Sequence, residues 1–221
     1  MLDAVARALR LTPGEHAYLR NITLPRRRAG TGAAACDGRG ARPRVRPQIR
    51  ELLDAMDDAV PAIVYGPGMD MLAWNRMAGR LSFDFDALPE SELNGARLLF
   101  LHPEARVFYP AWAEVAEEIV ASLRADIGRH PDQPRVHRVI CELRESSEEF
   151  RHYWEAQSVL DRNHGTKRIL NPEVGELVLT YEALSLPADA GQRLCTYTAP
   201  KGSVTEKRLR ALTEKVGASL A

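Results

Sequence analysis

The stretch TKRILNPEVGELVLTYEALSLPADAGQRLCTYTA, Thr166 to Ala199, decides the fold. Thr166 to Asn171 reads as a strand, and Pro172-Glu173 with Gly175 makes the turn that follows. Leu177, Leu179 and Tyr181 then alternate strictly, as residues do when one face of a strand is buried. Beyond Tyr181 the parity slips by one residue, with Leu184 and Leu186 continuing the alternation out of phase. A bulge or bend near Glu182-Ala183 would restore a single apolar face. Asp189 to Gln192 supplies a second turn and Leu194 to Ala199 a further strand. Three strands joined by two short turns form an antiparallel meander.

Upstream, Ile49, Leu52, Leu53, Met56 and Val60 follow the spacing of an amphipathic helix, which Pro61 ends. Ala62 to Tyr65 is a short strand, Gly66-Pro67-Gly68 a turn, and Met69 to Trp74 the second arm of a hairpin. Helical patterns occupy roughly 75–82, 91–101, 103–108, 110–129 and 134–159. Trp112, Val115, Ile119 and Leu123 share one face of the fourth pattern. Ser146-Ser147-Glu148-Glu149 looks like a helix start inside the last, with Phe150, Tyr153 and Trp154 on its buried side. A terminal helix begins near Ser203, carries Leu209, Leu212 and Val216 on one side, and places Glu206 and Arg210 four residues apart. Two strands, a block of helices, three strands and a helix predict an α+β domain: a five-stranded antiparallel sheet with helices over one face. That order is also the order of a PAS domain.

The N-terminal end differs in character. Leu2, Val5, Ala6 and Leu9 recur at helical spacing. Thr12-Pro13-Gly14-Glu15 opens a second short helix, with Ala17, Tyr18, Leu19 and Ile22 as its apolar face. Residues 24–45 are rich in glycine, proline, alanine and arginine and lack apolar periodicity, so they read as a flexible basic linker. Six arginines (Arg26, Arg27, Arg28, Arg39, Arg42, Arg44) stand there against one acid, Asp37. The expected organisation is a small helical piece over 1–23, a linker over 24–45 and the α+β domain over 46–221.

Composition limits the function classes. Thirty lysines and arginines balance thirty aspartates and glutamates in a chain of 221 residues, unlike the basic excess of a chain built wholly around nucleic acid. No apolar run approaches a membrane span and the first ten residues do not form a signal peptide, so the expected compartment is the cytoplasm and no membrane partner is expected. Cys36, Cys141 and Cys195 form no zinc pattern and read as free thiols, with Cys141 and Cys195 buried. The six histidines make no metal motif. A serine nucleophile elbow and phosphate-binding loops are absent, and Glu117-Glu118 and Glu148-Glu149 are adjacent pairs that splay apart on a helix. The chain is expected not to be an enzyme, and to need no cofactor or metal.

Several stretches resemble the ligand-binding domain of MmyB-like transcription regulators. They are Trp74-Asn75-Arg76, Asn94-Gly95-Ala96-Arg97-Leu98-Leu99-Phe100, Tyr109-Pro110-Ala111-Trp112, and Lys167-Arg168 with Asn171-Pro172-Glu173-Val174-Gly175-Glu176-Leu177. Tyr181-Glu182-Ala183-Leu184 with Leu186-Pro187, and Gln192-Arg193-Leu194 leading to Tyr197-Thr198-Ala199, complete the set. The similarity spans about residues 45–205. The N-terminal LDAVARALRLTPGEHAYL is similar to the last helices of the Xre-type helix-turn-helix domain that precedes this module in the family. The scanning and recognition helices of that domain are not in the sequence, so no base contact is assigned. The family usually has His-Asp-Val where this chain reads Gln157-Ser158-Val159.

The resemblance implies a PAS-like pocket able to hold a fatty acid or similar apolar molecule. Trp74, Phe100, Trp112, Val115, Ile119, Phe150 and Trp154 offer an apolar lining. A carboxylate head would need a cationic or hydrogen-bonding partner, and Arg97, flanked by Asn94 and by Leu98-Leu99-Phe100, is the candidate. The implied function is ligand sensing that controls DNA binding, by a homodimer. The alternative is a DNA-independent lipid-binding or dimerisation module.

Overall fold

The computed structural model describes residues 42–156, 163–189 and 191–218. The expectations for residues 1–41 and for Gln157-Ser158 lie outside the described residues. In chain order the elements are α1 (Pro47–Ala55), β1 (Ala62–Tyr65), β2 (Met71–Trp74), α2 (Gly95–Leu101), α3 (Ala105–Phe108), α4 (Trp112–Arg129), α5 (Pro134–Ser146) and α6 (Glu148–Glu155). There follow β3 (His164–Asn171), β4 (Gly175–Ser185), β5 (Arg193–Thr198) and α7 (Val204–Ala218).

The five strands form one antiparallel sheet in the order β2-β1-β5-β4-β3. The hairpin and the meander therefore meet where β5 pairs with β1, and the helical block is the crossover between them. This is the expected α+β, PAS-like architecture. The helix start at Ser147 is real: its hydroxyl accepts from the Phe150 amide (3.1 Å), which splits the expected 134–159 helix into α5 and α6. At the turn after β3, Asn171 accepts from the amides of Glu173 and Val174, and Gly175 takes φ +81°, a region open to glycine at little cost. In α7, Leu209 and Leu212 are buried, and Arg210 pairs with Glu206 at 3.2 Å.

The expected bulge near Glu182-Ala183 is absent. β4 keeps constant register with β5 from Thr180↔Thr198 to Ser185↔Arg193. Leu184 instead lies opposite Leu194 on the reverse face of the sheet and stays half-exposed. The apolar parity changes because β1, β2 and β5 are covered on both faces. On the reverse side Ile49 and Leu53 of α1 pack with Val45, Ala62, Val64, Leu72, Ala73 and Leu194, and Leu186 joins this cluster. A strand entering that region is apolar on the second face, so alternation alone cannot say which face a leucine serves.

Residues 42–45, read from sequence as linker, pack onto the domain. The Arg42 guanidinium donates to the carbonyls of Met71 and Leu93 and pairs with Glu90 at 3.0 Å. Val45 is buried, and the Arg44 carbonyl accepts from the Gln192 side chain (3.1 Å).

Candidate functional site

Cross-strand neighbours share a face, so the register dictates what the inner face of the sheet presents. Tyr65↔Arg193↔Ser185, Ile63↔Cys195↔Ala183 and Tyr197↔Tyr181↔Gly165 are successive rows. Lys167 lies two residues beyond Gly165 on β3 and so faces the same way. From these rows Tyr65, Lys167, Tyr181, Ala183, Arg193, Cys195 and Tyr197 floor a cavity of about 80 Å³. Val115, Glu118, Ile119 and Ser122 of α4 close it from above. Their i, i+3, i+4, i+7 spacing puts them on one helical stripe. Met69, Gly95, Leu99 and Tyr109 also line it.

The other side of α4 carries Trp112, Ala116, Val120 and Leu123, which pack into a second cluster with α2, α5 and α6. The helix is thus buried on two sides, one toward the cavity and one toward the helical layer.

Met69 holds φ +68°, a left-handed conformation that costs a non-glycine residue on the order of 1 kcal/mol. The surrounding contacts enforce it. Gly68, itself at φ +72°, donates its amide to Asp126 (2.9 Å) and accepts at its carbonyl from Asn94 Nδ2 (2.8 Å). A Cβ on Gly68 would lie 3.2 Å from the Val136 Cα, so the backbone of α5 holds this turn closely.

The cavity is not simply apolar. Lys167 Nζ lies 3.3 Å from Glu118 Oε2, an ion pair between sheet and α4 with both side chains mostly buried, and 5.1 Å from the centroid of the Tyr181 ring. Arg193 donates to Asp126 Oδ1 at 3.2 Å, and a second arm abuts the Met69 sulfur. Asp126 is buried and also receives Arg129 at 3.2 Å. Burial pushes the Tyr65 and Tyr197 hydroxyls and the Cys195 thiol upward. Tyr197 hydrogen-bonds both Tyr65 and Cys195. All three groups are therefore neutral hydrogen-bonding groups near neutral pH.

A pH dependence follows from that burial. A tyrosine whose native pKa lies above its unfolded value of 10.0 contributes stability fully present below pH 10. The contribution is lost as pH rises from there toward the native value, because the unfolded chain releases the proton first. Urea midpoints measured from pH 8 to 11 should begin to fall above pH 9, where the unfolded Cys195 thiol releases its proton first, and fall more steeply above pH 10. Tyr65→Phe with Tyr197→Phe should flatten that fall, and an equally steep fall in the double variant would locate the dependence elsewhere.

Of the residues singled out from sequence, Val115 and Ile119 line the cavity and the other seven do not. Trp74 stands edge-on to Phe85 (5.6 Å between centroids) and donates its indole N–H to Asp86 (3.1 Å). Asn94 is fully buried as the N-cap of α2, accepting from the amides of Ala96 and Arg97. Arg97 is clamped by Glu142 (3.0 and 3.1 Å from Nε) and donates to the Ser91 carbonyl (2.7 Å), tying α2 to α5. Phe100, Trp112, Phe150 and Trp154 pack on one another in the helical layer. Phe100 meets Trp112 at 5.5 Å and Phe150 at 5.1 Å, and Phe150 stacks on Trp154 at 5.6 Å. Trp112 donates its indole N–H to the Leu99 carbonyl (3.1 Å).

Residues 45–212 match the MmyB-like transcription regulator ligand binding domain. The chain belongs to this family. Its domain serves ligand sensing in transcription regulation. No curated protein matches the chain.

In this MmyB-like domain, five of the six short stretches that carry the resemblance reach the cavity, and Trp74-Asn75-Arg76 does not. Gly95, Leu99, Tyr109, Lys167, Tyr181, Ala183, Arg193 and Tyr197 all come from them and all line it. Tyr65, Glu118, Lys167 and Arg193 do not stand out in the sequence when the lining is expected to be apolar. The signal was present: Lys167 alternates inward with Ile169, and Glu118 sits on the Val115–Ile119 stripe. A lysine and an acid at core-facing positions of two facing elements mark a polar site inside a core. Among the described residues no group of histidine, cysteine, aspartate and glutamate is placed to hold a metal ion, and no helix is long and apolar enough to cross a membrane. Cys195 is free and buried. Cys141 is half-buried and disulfide-bonded, against the expectation of a free thiol.

Proposed function

We propose that the domain holds a fatty acid or comparable amphipathic small molecule in the cavity between α4 and the sheet, and that its occupancy controls DNA binding by the regulator. The observation that carries this reading is the mixed lining. Met69, Leu99, Val115 and Ile119 offer an apolar wall, while Glu118, Arg129, Lys167, Arg193 and four tyrosines offer a polar one. An apolar core of ordinary purpose does not gather three cations, a carboxylate and four tyrosines at one void. A molecule with an alkyl part and a polar head uses both walls. Binding here needs no bond-making step, and the protonated Cys195 thiol is a poor nucleophile, so the domain acts by binding and not by catalysis.

A route to the N-terminal side is built into the same turn. Met69 and Gly95 line the cavity, and the carbonyls of Met71 and Leu93 beside them hold Arg42. A ligand that moves Met69 changes the seat of the chain segment leading into the domain. The regulator acts in the cytoplasm as a homodimer, since regulators that read paired half-sites need two copies.

Protein purified from a bacterial host, denatured and extracted, should yield a bound amphipathic small molecule in near-stoichiometric amount by mass spectrometry. Ile119→Trp, which fills the cavity, should carry less than a tenth as much while remaining folded. Equal amounts in both proteins, or no ligand taken up by the wild type on adding one, would remove the reading.

A further inference from the structure

Two ion pairs join α4 to the sheet across the cavity: Glu118 to Lys167 at 3.3 Å and Asp126 to Arg193 at 3.2 Å. The two carboxylates stand about 12 Å apart along the helix, from its rise per residue. The cavity has a volume of about 80 Å³, room for roughly five to eight water-sized groups. A larger molecule enters only if roof and floor part.

The two ties differ. Asp126 is buried and held three ways, by the Gly68 amide at 2.9 Å and by Arg129 and Arg193 at 3.2 Å. The Gly68 turn is itself pressed against the backbone of α5, so this part of α4 is anchored. Glu118 has Lys167 as its one ion-pair or hydrogen-bond partner among the described residues. Lys167 is a point charge on a flexible stem, without the fork that fixes an arginine. It stands on β3, the strand at one edge of the sheet.

The weaker tie is also one that parts at small cost. Its side chains are 14% and 13% exposed, so closing the pair strips water from two ions. Parting returns both ions to water, and the recovered hydration offsets much of the lost attraction. An apolar contact at the same place would lose free energy on opening with no such return.

We propose that Glu118 and Lys167 form a latch on the cavity. When the pair parts, the first half of α4 lifts from the β3 edge about the Asp126 anchor and a ligand passes; when it closes, the ligand is sealed in. This rests on the ligand-sensing reading above and names what admits the ligand.

The Cys195 thiol reports the opening without any ligand. It is free, buried and lines the cavity, so a maleimide reaches it when the roof lifts. The full chain is treated with N-ethylmaleimide, and mass spectrometry follows labelling of the peptide that carries Cys195. Glu118→Gln and Lys167→Met should each accelerate labelling about tenfold by favouring the open form. The exchanged pair, Glu118→Lys with Lys167→Glu, should restore most of the wild-type rate. Charge alone predicts a different pattern. Burial raises the thiol pKa, Lys167 lowers it and Glu118 raises it. Removing the acid would then speed labelling and removing the lysine would slow it, whereas loss of the latch moves both variants the same way. Urea below the unfolding transition should leave the rates nearly unchanged, because a local opening exposes little surface. Unchanged rates, opposite effects of the two substitutions, or rates that climb steeply with urea would overturn the latch. Octanoate in the cavity should slow labelling. Acceleration by both substitutions with no effect of octanoate would uphold the latch and count against a fatty acid as its ligand.

Discussion

Asn94→Ala should lower the unfolding free energy of the domain by about 3 kcal/mol, the sum of a lost helix cap and of buried partners left without a donor. Asn94 is fully buried. Its side-chain oxygen caps α2 through two amides, and its Nδ2 donates to the Gly68 carbonyl (2.8 Å) and to Asp70 Oδ1 (3.0 Å). Every hydrogen-bonding position of the amide is thereby used inside the protein, which is why this residue holds the hairpin turn to α2 and has nothing left for a ligand. Urea unfolding should show a reduced midpoint with an unchanged slope, and the melting temperature should fall by about 6–12 °C. A loss under 1 kcal/mol would mean that Asn94 acts as an exposed cap and no more.

Phe150→Ala should cost still more, about 3–5 kcal/mol, because truncating a fully buried phenylalanine removes its transfer energy and leaves a cavity. Phe150 has no exposed surface and packs among Leu123, Val139 and Leu143 as well as its aromatic neighbours. Its effect on ligand should be small by comparison. At a temperature where the variant is folded, octanoate affinity should stay within about twofold of wild type, since α4 stands between Phe150 and the cavity. A tenfold loss of affinity with little loss of stability would show that the aromatic layer is the ligand site.

These two residues also show where the sequence is legible and where it is not. Periodicity distinguishes strands from helices well here: Ala62–Tyr65 falls on β1, and the alternation of Leu177, Leu179 and Tyr181 marks the buried face of β4. The single face it assigns to α4 is split in the structure: Val115 and Ile119 turn to the cavity, Trp112 and Leu123 to the helical layer. What it does not reveal is which of two apolar layers holds a void. Phe150, Trp154, Phe100 and Trp112 have the composition of a pocket lining, yet rings that fill one another's space leave none. Arg97 and Arg193 are indistinguishable in one dimension. Only the fold brings Glu142 to Arg97 and places Arg193 on the cavity wall. Leu184 is misassigned for a related reason, since the helix that covers the reverse face lies more than a hundred residues upstream.

Ligand entry between α4 and the sheet is tested most directly by photolabelling. A medium-chain carboxylate bearing a diazirine on its tail is bound to the full chain and irradiated, and the labelled peptides are identified by mass spectrometry. The label should fall on residues of the 109–122, 163–171 and 177–197 segments and should disappear when unmodified octanoate competes. Label concentrated on Phe150, Tyr153 and Trp154 of α6, with the cavity walls untouched, would contradict it.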